Sequence, residues 1–324
     1  MSSTVSIVAH ASTSQAASFT EWAWLWVPVV LFAALAQTVR NSAQRSLTTE
    51  LGTLSATLVR FLYGLPFAAL CLWLMYTLPA RTPSIPHFTP VYLAWLALGA
   101  FFQVAATAAL LMAMKERNFA VAVTLSKTEV LQVALFGAVF LAELPSAWAL
   151  FAMVLASIGV VMLSLPPRGQ LLSAAAWLSK SAVYGLVCGA CFAIATIGYR
   201  GAALALGAET PWISGAWGVL IAQAMQTIGL GAWVQWRTER GLMPIFRAWK
   251  ISMVAGSMGA IASIAWFTAY AMQSAASVRT LGMVEVVFSY LVSRKLFSES
   301  FTRAEKWGIA LMLLGLVLIC SLGV

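Results

Sequence analysis

Two short stretches of this 324-residue sequence match each other, Thr124-Leu125-Ser126-Lys127-Thr128-Glu129-Val130 and Thr280-Leu281-Gly282-Met283-Val284-Glu285-Val286. Their glutamates lie 156 residues apart, and the same separation relates Glu143 to Glu299 and Gly159 to Gly315. The chain is therefore predicted to contain two versions of one unit. Duplicated membrane units with a site at their interface are typical of secondary transporters.

The composition predicts a polytopic membrane protein, because 61% of the residues are hydrophobic and only 9% are charged. The net charge of +9 comes mostly from short loops between apolar runs, which argues against nucleic-acid binding. The four cysteines lie within apolar runs and are predicted to pack rather than to form disulfides or bind metal. No cofactor motif and no zinc or acidic metal signature is present.

The apolar runs predict an all-α integral membrane fold with about ten transmembrane helices. Those of the first half are 23–43, 54–77, 91–113, 119–141 and 146–165. Those of the second half are 182–204, 211–234, 251–272, 277–297 and 305–323. Because each half has an odd number of spans, the second half enters from the opposite side. The fold is therefore predicted as two inverted five-helix repeats.

The predicted organisation has four parts: a disordered tail (1–21), the first repeat (22–165), a linker (166–181) and the second repeat (182–324). The linker contains Pro166 and Pro167, which cannot continue a helix. Lysine and arginine concentrate in the loops on one side, and the positive-inside rule then places both termini outside the cytoplasm. The expected location is a bacterial inner (plasma) membrane.

Two stretches carry a resemblance to a known family. They are Ala142-Glu143 running into Gly159-Val160-Val161-Met162-Leu163, and Ser298-Glu299 running into Gly315-Leu316-Val317-Leu318-Ile319. They resemble the short acidic turn and closing helix of EamA-type ten-helix permeases in the drug/metabolite transporter superfamily. Residues 108–125 and 264–281 are similar to the Ala-rich third and fourth helices of each repeat in that family. The resemblance covers nearly the whole chain after residue 22 and implies transport, with the fourth helices around a central cavity.

The main candidate site residues are Glu129 and Glu285, one in the fourth helix of each predicted repeat. Many members of the family carry proline or a small apolar residue at these places. A carboxylate inside a membrane is costly, and a low dielectric favours its neutral form, so the pair is predicted to exchange protons near neutral pH. A static ion pair, or a satisfied hydrogen bond to a neighbouring helix, is the alternative. Lys127 and Arg279 are the nearby cations that would contact an anionic substrate group.

Further polar and aromatic residues are predicted to line the cavity: Gln37, Gln103, Thr107, Tyr199, Trp266, Tyr270 and Gln273. Arg40 and Arg60 lie deep enough to attract an anion, whereas Arg45 and Arg200 are predicted to be interfacial anchors. Glu143 and Glu299 precede closing helices, where a carboxylate complements a helix N-terminus.

These observations favour a proton-coupled secondary active transporter of a small polar or amphiphilic metabolite, working by alternating access between the repeats, with no enzymatic activity and no cofactor. A substrate-for-substrate exchanger of anionic metabolites, using Arg40, Arg60, Lys127 or Arg279, is the first alternative. An intramembrane lipid-modifying enzyme is the second, although no catalytic polar cluster is evident in the sequence. The expected partners are the substrate and membrane lipid, and the expected oligomeric state is a monomer or a homodimer.

Overall fold

The computed structural model describes residues 24–114, 125–164, 180–238, 241–288, 291 and 303–322, and within these ranges all regular structure is helical. The helices before residue 165 are α1 (Trp26–Leu51), α2 (Thr53–Leu62), α3 (Gly64–Thr77), α4 (Pro90–Met114), α5 (Glu129–Leu141) and α6 (Ala147–Ser164). Those after it are α7 (Lys180–Leu206), α8 (Pro211–Arg237), α9 (Met243–Arg247), α10 (Trp249–Met272), α11 (Ala275–Gly282) and α12 (Arg303–Leu322). The predicted tail (1–21) and most of the predicted linker (166–181) lie outside the described residues.

Among the described residues, five stretches are long and apolar enough to cross a membrane: Leu54–Thr77, Pro90–Ala109, Ala182–Leu206, Pro211–Arg237 and Trp249–Met272. Two shorter apolar helices are Glu129–Leu141 and Ala147–Leu163. The prediction of an all-α membrane protein is therefore confirmed. Apolar helices suit this environment because every backbone donor and acceptor is bonded within the helix.

The outer faces of the helices carry large apolar side chains, as expected for a surface in contact with lipid. Phe32, Phe101, Leu135 and Ile228 are all well exposed, although they belong to different helices. In water such a surface would favour aggregation, whereas lipid tails solvate it.

Three of the predicted continuous helices are interrupted. The span 54–77 divides at Tyr63 into α2 and α3, because Pro66 cannot donate a hydrogen bond to the carbonyl of Leu62. The predicted helix 119–141 has a turn just before Glu129, where the Thr128 hydroxyl donates to the Leu125 carbonyl oxygen at 2.6 Å. The predicted helix 277–297 has a turn at Met283, followed by a helical segment at 284–288.

The most extensive helix contacts are α4 with α7, α6 with α12, and α1 with α10. Each joins a helix from before residue 165 to one from after residue 179. In the α6–α12 contact, a Cβ on Gly159 would lie 2.5 Å from the backbone oxygen of Gly308 and from the backbone nitrogen of Met312. A Cβ on Gly315 would lie 2.7 Å from the backbone of Ala152 and Ala156. Glycine therefore permits the close approach of these two helices.

We expect Gly159→Ala to lower the free energy of unfolding by about 1–3 kcal/mol, because the added methyl group would force backbone atoms of α12 to move. The measurement is thermal unfolding of the purified protein in detergent. Gly229→Ala is the matched control, since no atom lies within 4 Å of its Cβ position. The control should gain about 0.5–1 kcal/mol from the higher helix propensity of alanine. Equal melting temperatures for the two variants would contradict this account of the α6–α12 contact.

Candidate functional site

Glu285 lies in the segment after the turn at Met283 and is held by two amide side chains of α1. Gln37 donates a short hydrogen bond from Nε2 to its Oε2 atom. Asn41 donates from Nδ2 to its Oε1 atom at 2.7 Å. Gln37 and Asn41 are four residues apart on a helix and so project from the same face, which allows both amides to reach one carboxylate.

Gln37 and Asn41 are each hydrogen-bonded to one further side chain, which extends the network. Arg40 donates from Nε and Nη2 to the Asn41 Oδ1 atom, at 3.2 and 2.7 Å. The Trp266 indole on α10 donates from Nε1 to the Gln37 Oε1 atom at 3.0 Å. Asn41 is itself exposed, so the network extends from the surface of the helix assembly to the buried ring of Trp266.

Glu129 forms an ion pair with Arg279, with 2.7 Å between the carboxylate Oε1 and the guanidinium Nη2. Their side chains are 9% and 22% exposed. The Arg279 guanidinium also lies over the Trp266 ring, 5.4 Å from its centroid. Trp266 therefore contacts both the Glu129 ion pair and the Glu285 network, and the two glutamates belong to one connected polar cluster.

Both glutamates lie at the beginning of a helical segment. Glu129 is the first residue of α5, and Glu285 is the second residue of the segment 284–288. The free backbone N–H groups and the dipole at a helix N-terminus favour negative charge. The two turns thus provide an environment that stabilises a carboxylate which the apolar surroundings would otherwise disfavour.

A second polar cluster joins α4, α7 and α8. The Tyr199 hydroxyl donates to the Gln103 Oε1 atom at 2.9 Å. The Gln226 Nε2 atom donates to the same oxygen at 2.7 Å and to the Ala100 carbonyl at 3.2 Å. Tyr199 and Gln226 are buried, so these hydrogen bonds offset the cost of removing polar groups from water.

Glu143 and Arg200 form another ion pair, with 2.7 Å between Oε1 and Nε and side chains that are 20% and 12% exposed. Arg200 also donates from Nη1 to the Tyr270 carbonyl oxygen at 2.5 Å. The other oxygen of Glu143 accepts from the backbone N–H of Ala275, at the start of α11. Arg200, predicted as an interfacial anchor, thus makes internal contacts, because a carboxylate and a carbonyl from two other segments face it.

The remaining predicted site residues differ in their contacts. Thr107 donates to the Gln103 carbonyl of its own helix at 2.9 Å. Gln273 follows the end of α10, and its side-chain oxygen accepts from the Ser274 backbone at 2.9 Å. The Tyr270 ring stacks on Trp266, with 6.3 Å between centroids. Lys127 is half-buried in the turn before Glu129.

The structure adds Asn41 and Gln226, which were not predicted as site residues. Asn41 could have been found from its spacing of four residues from Gln37. Gln226 stands in an apolar run of α8, where a buried amide requires a partner. Lys127 makes no ion pair with a described residue, since the ion pairs found there are Glu129–Arg279 and Glu143–Arg200. Across the described ranges no group of three or more metal-ligating side chains is present.

Comparison with known proteins gives a fold but no family. No family model matches this chain, and no curated protein sequence matches it. A solved structure described as "Crystal structure of protein" is similar, with a TM-score of 0.67 and 16% sequence identity. The match covers 92% of this chain and 96% of that chain. At this identity the likeness shows that the two chains share a fold.

We expect Glu143→Gln to destabilise the protein by roughly 3 kcal/mol, because it leaves the largely buried guanidinium of Arg200 without its carboxylate. Thermal unfolding in detergent measures the effect. The double variant Glu143→Gln/Arg200→Gln should recover part of this loss, since the unpaired charge is also removed. If the loss of stability in the double variant equals the sum of the losses in Glu143→Gln and Arg200→Gln measured separately, the ion pair does not couple these segments.

Proposed function

We propose that this protein is a secondary active transporter of a small polar or amphiphilic metabolite, coupled to protons and working by alternating access between two inverted five-helix repeats. The observation that carries the proposal is the placement of Glu129 and Glu285 in one connected cluster, each just after a turn in its helix. Glu129 begins a shorter apolar helix, and Glu285 is packed against α1 and α10 of the same apolar helix assembly. Ionisable carboxylates in such surroundings have an energetic cost that a role in proton transfer would explain.

The contacts of the glycines support the repeats. Gly159 approaches Met312, and Gly315 approaches Ala156. Adding 156 to the number of Gly159 gives Gly315, and subtracting 156 from that of Met312 gives Ala156, so each contact is the other with the two halves exchanged. A two-fold relation between two copies of one unit produces this exchange. The turns before Glu129 and Glu285 recur with the same separation.

Protonation supplies a mechanism for changing state. A protonated Glu129 no longer attracts Arg279, and a protonated Glu285 loses part of its capacity to accept from Gln37 and Asn41. Both contacts join a helix from before residue 165 to one from after residue 179. Protonation therefore changes the relative stability of two arrangements of the halves, which is the requirement for coupling.

An exchanger of anionic metabolites is the second candidate, favoured by the burial of Arg40 and Arg60 near the Glu285 network.

In either case we propose membership of the EamA-type permeases and a location in a bacterial inner membrane with both termini outside the cytoplasm. We also propose function as a monomer or homodimer in contact with lipid, without cofactor.

We expect proteoliposomes containing the protein to give transport currents with at least one member of a panel of small polar and amphiphilic metabolites, tested on a solid-supported membrane at two pH values. Glu129→Gln and Glu285→Gln should each abolish the pH dependence, because glutamine cannot release a proton. Glu50→Gln, at an exposed position of α1, is the matched control and should behave as the wild type. Currents that keep their pH dependence in both cluster variants would exclude proton coupling through these glutamates.

A further inference from the structure

Two buried arginines converge on one point of α10. Arg40 on α1 and Arg60 on α2 are only 6% and 8% exposed. The Cδ atom of Arg40 and the Cγ atom of Arg60 lie 3.3 and 3.5 Å from the position that a Cβ on Gly259 would occupy. The absence of a side chain on Gly259 leaves room for both arginine side chains to pass beside α10.

Neither arginine has a carboxylate ion-pair partner among the described residues, where the ion pairs are Glu129–Arg279 and Glu143–Arg200. Arg40 donates to the neutral amide of Asn41. The buried Nε atom of Arg60 has no hydrogen-bond partner in the described part of the chain. Its guanidinium lies over the ring of Phe61, 4.7 Å from the centroid. A buried guanidinium with so few partners is costly unless a ligand completes its contacts.

The charge balance of this interior indicates what the ligand would be. Arg40 and Arg60 repel each other. Together with Arg279 they give more positive charge than Glu129 and Glu285 neutralise, and Lys127 adds to the excess. A bound anion would offset the repulsion between the two arginines and would accept a hydrogen bond from the unpartnered Nε of Arg60. Planar guanidinium groups bind the oxygens of carboxylates and phosphates in a bidentate manner.

We propose that Arg40 and Arg60 bind the oxyanion group, a carboxylate or a phosphate, of a small soluble metabolite, which on the function proposed above is the transported substrate. Trp266 lies seven residues from Gly259, two turns along the same face of α10, and stacks on Tyr270. These rings provide a flat apolar surface about 10 Å further along α10 than Gly259, where Arg279 lies over Trp266. The expected ligand is therefore a small organic anion with an apolar part. The burial of both arginines within the helix assembly fits a soluble ligand better than a lipid headgroup.

Anion binding at this site and protonation of Glu285 favour each other. Arg40 is connected to Glu285 through Asn41, and an ionised Glu285 repels an incoming anion while attracting Arg40. By linkage, protonation of Glu285 tightens anion binding to the same extent that the anion favours the proton. Of the charged groups, Arg40 and Arg279 act directly on Glu285. Arg60 acts on Arg40, and Glu129 and Tyr270 act on Arg279.

The test is calorimetric titration of the purified full chain in detergent with inorganic phosphate, phenyl phosphate and benzoate. We expect at least one probe to bind the wild type, more tightly at the lower of two pH values. Arg60→Gln should weaken binding at least about tenfold, through the loss of charge-assisted hydrogen bonds. Arg60→Lys should be intermediate, because it keeps the charge but not the planar fork. Arg247→Gln, at an exposed position in α9, is the matched control and should bind as the wild type.

Thermal unfolding of the variants separates loss of the site from loss of the fold. Arg60→Gln removes an unpaired buried charge, so its melting temperature should not fall below that of the wild type. If Arg60→Gln does not fold, Arg60→Lys still tests the proposal. Glu285→Gln should keep anion binding but lose most of its pH dependence. Failure of every probe to bind the wild type, or equal binding to the wild type and the arginine variants, overturns the site.

Three further outcomes distinguish this site from its alternatives. Binding that occurs only in nanodiscs containing phosphatidylglycerol, and in competition with that lipid, would overturn the assignment to a soluble metabolite. Binding that depends on Arg60, together with transport currents independent of pH, would reject proton coupling and keep the site. Proton-coupled currents that are unchanged in Arg60→Gln would reject the site and keep the proposed function.

Discussion

The requirement that buried charges have partners determines much of this structure, because the apolar interior of a membrane protein offers few groups that can pair with a charge. Glu129 faces Arg279, Glu143 faces Arg200, and Glu285 faces the amides of α1. In every case one partner precedes residue 165 and the other follows residue 179. The polar contacts therefore fix how the first and second parts of the chain are placed against each other, while apolar contacts with lipid and between helices supply a less directional attraction.

The turns before Glu129 and at Met283 also help to stabilise negative charge, through backbone groups instead of a partner side chain. A continuous helix bonds its backbone N–H groups internally, whereas a helix that restarts leaves several of them available. Each glutamate follows such a restart, so the backbone itself provides favourable electrostatics for a carboxylate. The same two places are also where the chain can change direction with the smallest loss of hydrogen bonds.

The sequence predicts the helical membrane fold and draws attention to Glu129 and Glu285, because acidic residues are conspicuous within apolar runs. It does not predict which side chains form ion pairs or hydrogen bonds with these glutamates. Asn41 and Gln226 acquire their importance from partners on other helices, and Arg200 pairs with a carboxylate that is distant in sequence. The turn at Met283 has no proline in its own stretch, and a Cβ on the preceding Gly282 would lie 2.5 Å from Trp266 of α10. Contacts between distant parts of the chain, such as this one, leave no local sequence pattern from which they could be predicted.

The pairing of early helices with late ones has a consequence for biosynthesis. α1 contacts α10 and α6 contacts α12, so a helix made late completes a contact with one made much earlier. Until α12 is made, the small-residue face of α6 around Gly159 lacks the helix that it packs against and is covered by lipid or by the insertion machinery. Helices made early must wait in the bilayer as independent segments, and the native arrangement forms only after α12 has been synthesised.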